Sequence, residues 1–480
     1  MASGQRILKN SVFLSASQIA AKVINFALII ILTRYLGKNG FGLYSYSFAY
    51  VSIFYFMSHM GISNLLVRDV AKHRESAQEY ISYSLPLVLI LSTGFLVIVN
   101  VIPIISNWSN DERLITLFFS FYFLFDALAK YAFAIMQAFE RMGMQAILFA
   151  SERLFLLLTS LYCWYSDRSL LILVAVFAVV NGIKAMTAFI FVQKEYTKLS
   201  FSWSAGYFRS LLKESYPFAL VLLFSALSTR VDILMLKEFH STASVAIYNT
   251  ARKIIDAFSF LPENIYAAVF PSLSLLFISQ KEKFNEAFRQ AFLAILLIAI
   301  PICTGFFVLA PRIIDILFDP EFQDAYIPLR WLSLGLLFIY IRMGLSVTLN
   351  ATGNQHIFAL IYGISMIVSV VMNFILIPRY DTLGASMTVI LSEISLILCS
   401  MPFIKRQVNF SWGIFLFPKL IIVTLILAFT IFLLQEYHLA IILIILITEY
   451  IGLIIAFKIF TRAELRQYYR ILTRRGNTEL

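Results

Sequence analysis

The chain has 480 residues, of which 60% are hydrophobic and only 14% charged, and it carries a formal net charge of +11. A soluble domain is typically about 45–50% apolar and about 25% charged, so this apolar excess exceeds what one buried core can absorb and has to face lipid. The positive balance does not point to nucleic acid, because most Lys and Arg sit in short connections and near the C-terminal end, where a membrane topology signal lies.

A spanning helix needs roughly 20 mostly apolar residues, whereas a membrane barrel shows alternating runs of about ten. The runs here are continuous, so the expected fold class is an all-α integral membrane protein with about fourteen transmembrane helices. In chain order the spans are expected at 11–35, 42–66, 81–105, 114–138, 144–165, 168–192 and 215–237. The others are expected at 244–272, 288–310, 327–350, 356–378, 383–404, 413–435 and 439–460. Polar or turn-forming breaks separate them, among them Gly37-Lys38-Asn39-Gly40, Asp319-Pro320 and Pro378-Arg379-Tyr380-Asp381. The first apolar stretch, from about Ser11 to Leu36, is too long for a signal h-region and has no A-x-A-like site, so it is expected to stay.

The longest connection, from Gln193 to Glu214, leaves no room for a soluble catalytic domain. One set of connections holds Arg6, Lys9, Arg68, Lys72, Arg74, Arg141, Lys194, Lys198, Arg209, Lys213, Lys281, Lys283, Arg289, Lys405 and Arg406. The tail adds Arg462, Arg466, Arg470, Arg474 and Arg475 and reads as a segment facing lipid headgroups. The opposite set holds Arg34, Lys38, Arg113, Arg168, Lys237, Arg312, Arg330 and Arg379. The bias puts both termini in the cytoplasm.

Two segments repeat. Ile7-Leu8-Lys9-Asn10-Ser11 precedes the first span and Leu211-Leu212-Lys213-Glu214-Ser215 the seventh; Gly42-Leu43-Tyr44 and Ala246-Ile247-Tyr248 follow at matching offsets. Six spans separate the copies, so both halves have the same orientation, an arrangement suited to alternating access. The expected domains are an N-lobe over 1–193, a cytoplasmic linker over 194–214, a C-lobe over 215–405, two peripheral helices over 406–460 and a basic tail over 461–480.

These residues carry a family resemblance. Leu32-Thr33-Arg34-Tyr35-Leu36-Gly37 with Gly40-Phe41-Gly42-Leu43-Tyr44 form its first block, and Gly61-Ile62-Ser63-Asn64 with Val67-Arg68-Asp69 its second. Arg230 to Leu236 with Ala246 to Lys253, and Asn373 to Pro378 with Leu383 to Ser386, complete it. In their order and spacing they resemble the polysaccharide exporters of the multidrug/oligosaccharidyl-lipid/polysaccharide superfamily, close to O-antigen (Wzx-type) flippases. The chain departs from the pattern at Ala246-Ile247 and at Tyr380-Asp381, where such families usually have glycine. The resemblance implies two six-helix lobes in a V around a central cavity plus two peripheral helices. It also implies a cargo on polyprenyl pyrophosphate, flipped from the cytoplasmic to the outer leaflet of a bacterial inner membrane.

A charge at mid-membrane costs about 2.5–3.5 kcal/mol on insertion scales, so such residues usually face a bundle interior or a wet cavity. The candidate cations are Lys22, Lys130, Lys184, Arg230, Arg252, Lys253 and Arg342, of which Lys22, Lys130, Lys184, Arg230, Arg252 and Arg342 are assigned to the cavity as counter-ions for pyrophosphate. Lys22 leads, having no acid within one turn. Asp126, Glu152, Asp232, Asp256 and Glu393 are the candidates for coupling to H⁺ or Na⁺. Asp126 with Lys130 and Arg252 with Asp256 stand four apart and can neutralise each other instead. Lys184 can equally snorkel to the headgroups, Arg34 anchor an interface, Glu449 support packing, and His59 serve as hydrogen-bonded structure. Pro86, Pro217, Pro262, Pro271 and Pro301 bend helices, or, for Pro217, mark a helix start.

Cys163, Cys303 and Cys399 lie in apolar runs without a CxxC pair, so neither zinc nor a disulfide framework is expected. Walker, GxSxG and HExxH motifs are absent, and neither a cofactor nor enzymatic activity is expected. Expected partners are the lipid-linked oligosaccharide, membrane lipids, and a polysaccharide polymerase and chain-length proteins, with no nucleic acid. The competing readings are a cation-coupled drug exporter of the same superfamily, an O-antigen polymerase-type enzyme, and a flippase for the peptidoglycan precursor.

Overall fold

The computed structural model describes residues 2–73, 75, 77–196, 200–352, 354–408 and 413–459. Arg74, Lys198 and the basic tail of the sequence reading therefore lie outside the described residues. Every regular element among the described residues is helical.

Among the described residues, eleven helices are long and apolar enough to cross a membrane. Two of them are each two spans joined end to end. α1 (Ala2–Phe54) breaks at Gly37, whose φ of 62° and ψ of −179° suit a residue without Cβ. α11 (Gln355–Ile404) breaks at Asp381, with φ 50°. Its ψ of −130° lies outside the left-handed helical region that Asp tolerates, so this is a conformation side-chain-bearing residues rarely adopt. Ser244 donates to the Asp381 Oδ2 at 2.9 Å, which helps hold the turn. Counting both arms of each gives thirteen apolar spans among the described residues, consistent with the expected fourteen; α8 (Thr242–Ser279), which carries Arg252, Lys253, Asp256 and Glu263, is a long helix outside that set.

Between them lie α3 (Ala77–Ile105), α4 (Asn110–Ala138), α5 (Gly143–Tyr165), α6 (Leu170–Glu195), α7 (Ala205–Phe239), α9 (Lys281–Leu317), α10 (Tyr326–Ala351), α12 (Gly413–Leu434) and α13 (Leu439–Ala456). α4 opens on a capping box: the Ser109 hydroxyl accepts from the Glu112 N–H while the Glu112 carboxylate accepts from the Ser109 N–H. That reciprocal pair satisfies two of the donors a helix N-terminus leaves free.

Two expectations change. The second span was read to residue 66, but the helix ends at Phe54, passes through a 3-10 turn over Tyr55–Ser58 and reverses at Met60 and Gly61, φ 41° and 77°. A separate amphipathic helix, α2 (Ile62–Lys72), follows, burying Ile62, Leu65, Leu66 and Val70 at helical spacing. The apolar run continued through the turn, which hid it. Pro217 does not start a helix, because α7 begins twelve residues earlier, where Ser204 caps it by accepting from the Tyr207 N–H.

The helices group into two compact units. The first holds the described residues up to Phe258 with Ile314–Pro328 and Tyr362–Ser392; the second holds Ser259–Ile313, Leu329–Ile361 and the described residues from Glu393 on. In the first unit, Leu65, Ile81, Val88, Tyr131, Ile135 and Met136 form a fully buried core. In the second, Phe284, Phe288, Leu293, Leu345 and Leu349 pack with Val423, Ile431 and Ile442 of α12 and α13. Large apolar side chains remain exposed along α3 (Val97, Val101, Ile104), α12 (Ile421, Leu425, Phe429) and α13 (Ile444, Ile447, Ile451). In water such stripes would drive aggregation; against hydrocarbon they are the stable arrangement.

Candidate substrate cavity

Within the first unit, α1, α4, α5, α6, α7 and α8 surround a small cavity of about 60 Å³ that is open at its mouth. Three cations line it: Arg153 from α5, Arg230 from α7 and Lys253 from α8. Phe41, Tyr44, Phe48, Phe119, Tyr122 and Phe177 supply its aromatic wall alongside aliphatic side chains, with Asn25, Ser45 and Asn249 as neutral polar groups. Among the described residues Arg230 and Lys253 have no ion-pair partner; the Arg230 guanidinium lies 5.7 Å from the centre of the Phe48 ring. Arg153 reaches the Glu152 carboxylate only at 3.8 Å.

The acids are turned away from this space and occupied. Lys184, 4% exposed, sits between Asp126 at 2.8 Å and Glu152 at 3.0 Å. Tyr55 donates to Asp126 at 2.6 Å and Tyr122 to Glu152 at 3.2 Å. Lys130 stands 3.4 Å from Asp126 and 4.6 Å over the Tyr55 ring. On the other side of the cavity Arg252 bonds Asp232 at 3.1 Å and Asp256 at 3.4 Å, and Tyr248 also donates to Asp232. In the second unit Arg342 pairs with Glu393 at 2.6 Å.

Helix geometry explains the sorting. Arg230 and Asp232 are two residues apart and point in different directions, so one faces the cavity and the other Arg252. Lys253 stands four residues from Asn249 and shares its face, while neighbouring Arg252 turns to Tyr248 and Asp232.

Of the six cations assigned from sequence, Arg230 lines this cavity. Lys130, Lys184, Arg252 and Arg342 are in ion pairs outside its lining. Lys22 is exposed on α1, three residues before the lining Asn25 and so on the same face. All five candidate coupling acids have a cation within 4.0 Å. Arg153 is not among the six, although adjacent Glu152 and Arg153 point in different directions on a helix and so need partners on other helices or a cavity. His59 is buried, accepting from the Gly61 N–H at 3.3 Å, and Arg34 reaches Asp319 at 3.8 Å. Glu449 accepts from Thr430 at 2.7 Å, a packing contact between α13 and α12.

A charged and aromatic cluster, the latch, adjoins one end of the cavity through Tyr46, the residue after the lining Ser45. Lys237 of α7 meets Glu112 of α4 at 2.6 Å and lies 4.2 Å over Tyr46 and 5.0 Å over Trp108. Tyr46 donates to Glu238 at 3.2 Å. A hydrogen bond to a charged partner contributes about 1.5–3 kcal/mol. Lys237→Ala is therefore expected to open this end on the order of tenfold more often. A cysteine introduced at Ser45 in the purified protein will report it as faster maleimide labelling; an unchanged rate means the latch holds nothing shut.

A family model described as a polysaccharide biosynthesis protein matches residues 7–277, more than half of the chain. The chain belongs to this family. A second family model, MatE, matches residues 217–375. A capsular polysaccharide biosynthesis protein of Staphylococcus aureus, CapF, is 23% identical over 83% of this chain and all of that protein. A Shigella flexneri protein provisionally named an O-antigen transporter is 24% identical over 80% of this chain and 94% of that one. Among solved structures, the lipid II flippase MurJ in an inward closed conformation superimposes with a TM-score of 0.75 at 16% identity, over 96% of this chain and 100% of that chain. The family member described here is thus a multi-pass membrane protein that shares its fold with MurJ and with a multidrug transporter of the multidrug/oligosaccharidyl-lipid/polysaccharide (MOP) superfamily.

Proposed function

We propose that this chain is a flippase that carries a polyprenyl-pyrophosphate-linked oligosaccharide from the cytoplasmic to the outer leaflet of a bacterial inner membrane by alternating access. One observation carries the reading. Three cations converge on a cavity between apolar helices, and two of them, Arg230 and Lys253, have no ion-pair partner among the described residues. Clustered charge of one sign is costly at membrane depth, and an anion of concentrated charge relieves it. Pyrophosphate is such an anion. The aromatic walls suit the apolar faces of sugar rings.

A drug exporter for cationic compounds would place acids on the cavity wall; here the acids are paired away from it. A polymerase-type enzyme is disfavoured by the family's transporter fold. The names of the relatives add capsular polysaccharide, O-antigen and lipid II as cargo classes, each a glycan on a lipid.

On this reading residues 1–193 and 215–405 are the two repeats that alternate, 194–214 their linker, 406–460 the peripheral helices and 461–480 a basic tail, with both termini cytoplasmic. Arg153, Arg230 and Lys253 hold the phosphates, with Lys22 at the same face of α1 as an entry cation. Asp126, Glu152, Asp232, Asp256 and Glu393 are the groups through which H⁺ or Na⁺ would couple, and a polymerase and chain-length proteins would take the product. In cells lacking the protein, lipid-linked repeat units are expected to accumulate on the cytoplasmic face, protected from an impermeant glycosidase added to spheroplasts. Unpolymerised units already exposed on the outer face would sink the proposal.

A further inference from the structure

The cavity has a second polar feature that the phosphate site does not use. Asn249 is 4% exposed, lines the cavity and donates from its amide nitrogen to the Ser45 hydroxyl at 2.7 Å. Its Oδ1 is buried and has no hydrogen-bond partner. Turning the amide over only exchanges which of its two polar atoms is left over. A buried polar atom without a partner is disfavoured, and natural structures seldom leave one unless water or a ligand supplies the missing bond.

Its position is informative. Asn249 lies one helical turn from Lys253 on the same face of α8, about 6 Å along the axis at 1.5 Å per residue. The displacement is toward the α1 kink, since Thr242 at the start of α8 packs its backbone against Gly42, five residues after Gly37. Six ångströms is about the span of one sugar ring. Tyr44, adjacent to Ser45 in α1, also lines the cavity and offers an aromatic face.

We infer that Asn249, set by Ser45, forms a subsite for the sugar directly bonded to the phosphate, accepting a hydrogen bond from a ring hydroxyl or acetamido N–H. The inference rests on the cation trio binding the phosphates. It adds direction: the glycan points to the end nearest the α1 kink and the lipid to the other. Asn249 is then a specificity-determining residue that separates sugar-bearing from bare lipid pyrophosphate.

The test uses the purified full chain and two kinds of probe. One is citronellyl pyrophosphate; the other is the same molecule bearing a single N-acetylglucosamine, glucose or galactose. At least one sugar probe is expected to bind wild type about 3- to 10-fold tighter than the bare pyrophosphate, the range of one net hydrogen bond. Asn249→Ala is expected to erase that increment and leave the affinity for citronellyl pyrophosphate unchanged. Should Asn249→Ala fail to fold, Asn249→Ser, which keeps a hydroxyl beside Ser45, serves the same comparison. Two results overturn the subsite: no sugar probe gains over the bare one, or the variant weakens both kinds equally. In the first of these, retained binding of the bare probe leaves the phosphate reading standing. Failure of wild type to bind citronellyl pyrophosphate removes the phosphate site and this inference with it.

Discussion

Lys184→Met is expected to cost about 3–5 kcal/mol of stability, because it strands the buried Glu152 carboxylate beside the half-buried Asp126 carboxylate. Lys184 is the ammonium between Asp126 at 2.8 Å and Glu152 at 3.0 Å, and the Glu152 side chain is 1% exposed. Methionine fills similar space but offers neither charge nor donor. Lys130, at 3.4 Å from Asp126, covers one acid from an exposed position, and Arg153, at 3.8 Å from Glu152, covers the other poorly. The detergent-solubilised variant is expected to melt on the order of 5–10 °C below wild type. Adding Glu152→Gln removes the charge that Arg153 cannot fully meet, while Asp126 keeps Lys130. The double variant should therefore recover most of the loss, and that recovery separates charge stranding from simple loss of packing. If Lys184→Met melts with wild type, the buried triad contributes nothing to stability.

This triad also marks where the sequence stopped being legible. The pairs at i and i+4, Asp126 with Lys130 and Arg252 with Asp256, were readable because helix geometry alone brings such residues together, and both are present. Lys184 lies 58 and 32 residues from its two acids, so only the packing of α4, α5 and α6 joins them. Asp232 found Arg252 twenty residues away for the same reason. Most of the membrane spans were legible, since length and apolarity are local properties. The turn at Gly61 was not, because Ile62, Leu65 and Leu66 extend the apolar run although they belong to a different helix. Gly37 and Asp381 were visible as breaks between spans, and each is the non-helical residue at which one helix gives way to the next. Among the cations, Lys253 and Arg153 could not be separated from Arg252 and Glu152 by spacing alone. Which of two adjacent residues faces the cavity depends on the helix rotation that packing selects.

The contrasting experiment removes Arg230 and Lys253 together. Each can give a charge-assisted bond to a phosphate, worth about 1.5–3 kcal/mol, or roughly 10- to 100-fold in affinity. The double alanine variant is expected to lose at least about 100-fold in binding of citronellyl pyrophosphate and to lose export in cells. Its stability should go the other way from that of Lys184→Met. Arg230 and Lys253 have no ion-pair partner among the described residues, so neutralising them relieves mutual repulsion and strands no acid. The variant should melt at or above the wild-type temperature. Arg230→Lys with Lys253 intact should keep much of the binding, since the charge remains, but lose the bidentate fork that grips two phosphate oxygens at once. Raising the salt concentration should weaken wild type more than the double variant, because screening acts on the charges the variant no longer has. If the double alanine variant unfolds, the two residues are structural and the cavity is not the phosphate site. If it is stable and still binds citronellyl pyrophosphate as wild type does, the anion is held elsewhere. Loss of binding with stability kept is the outcome that a transport cavity demands: these helices tolerate charge of one sign because the cargo brings the other.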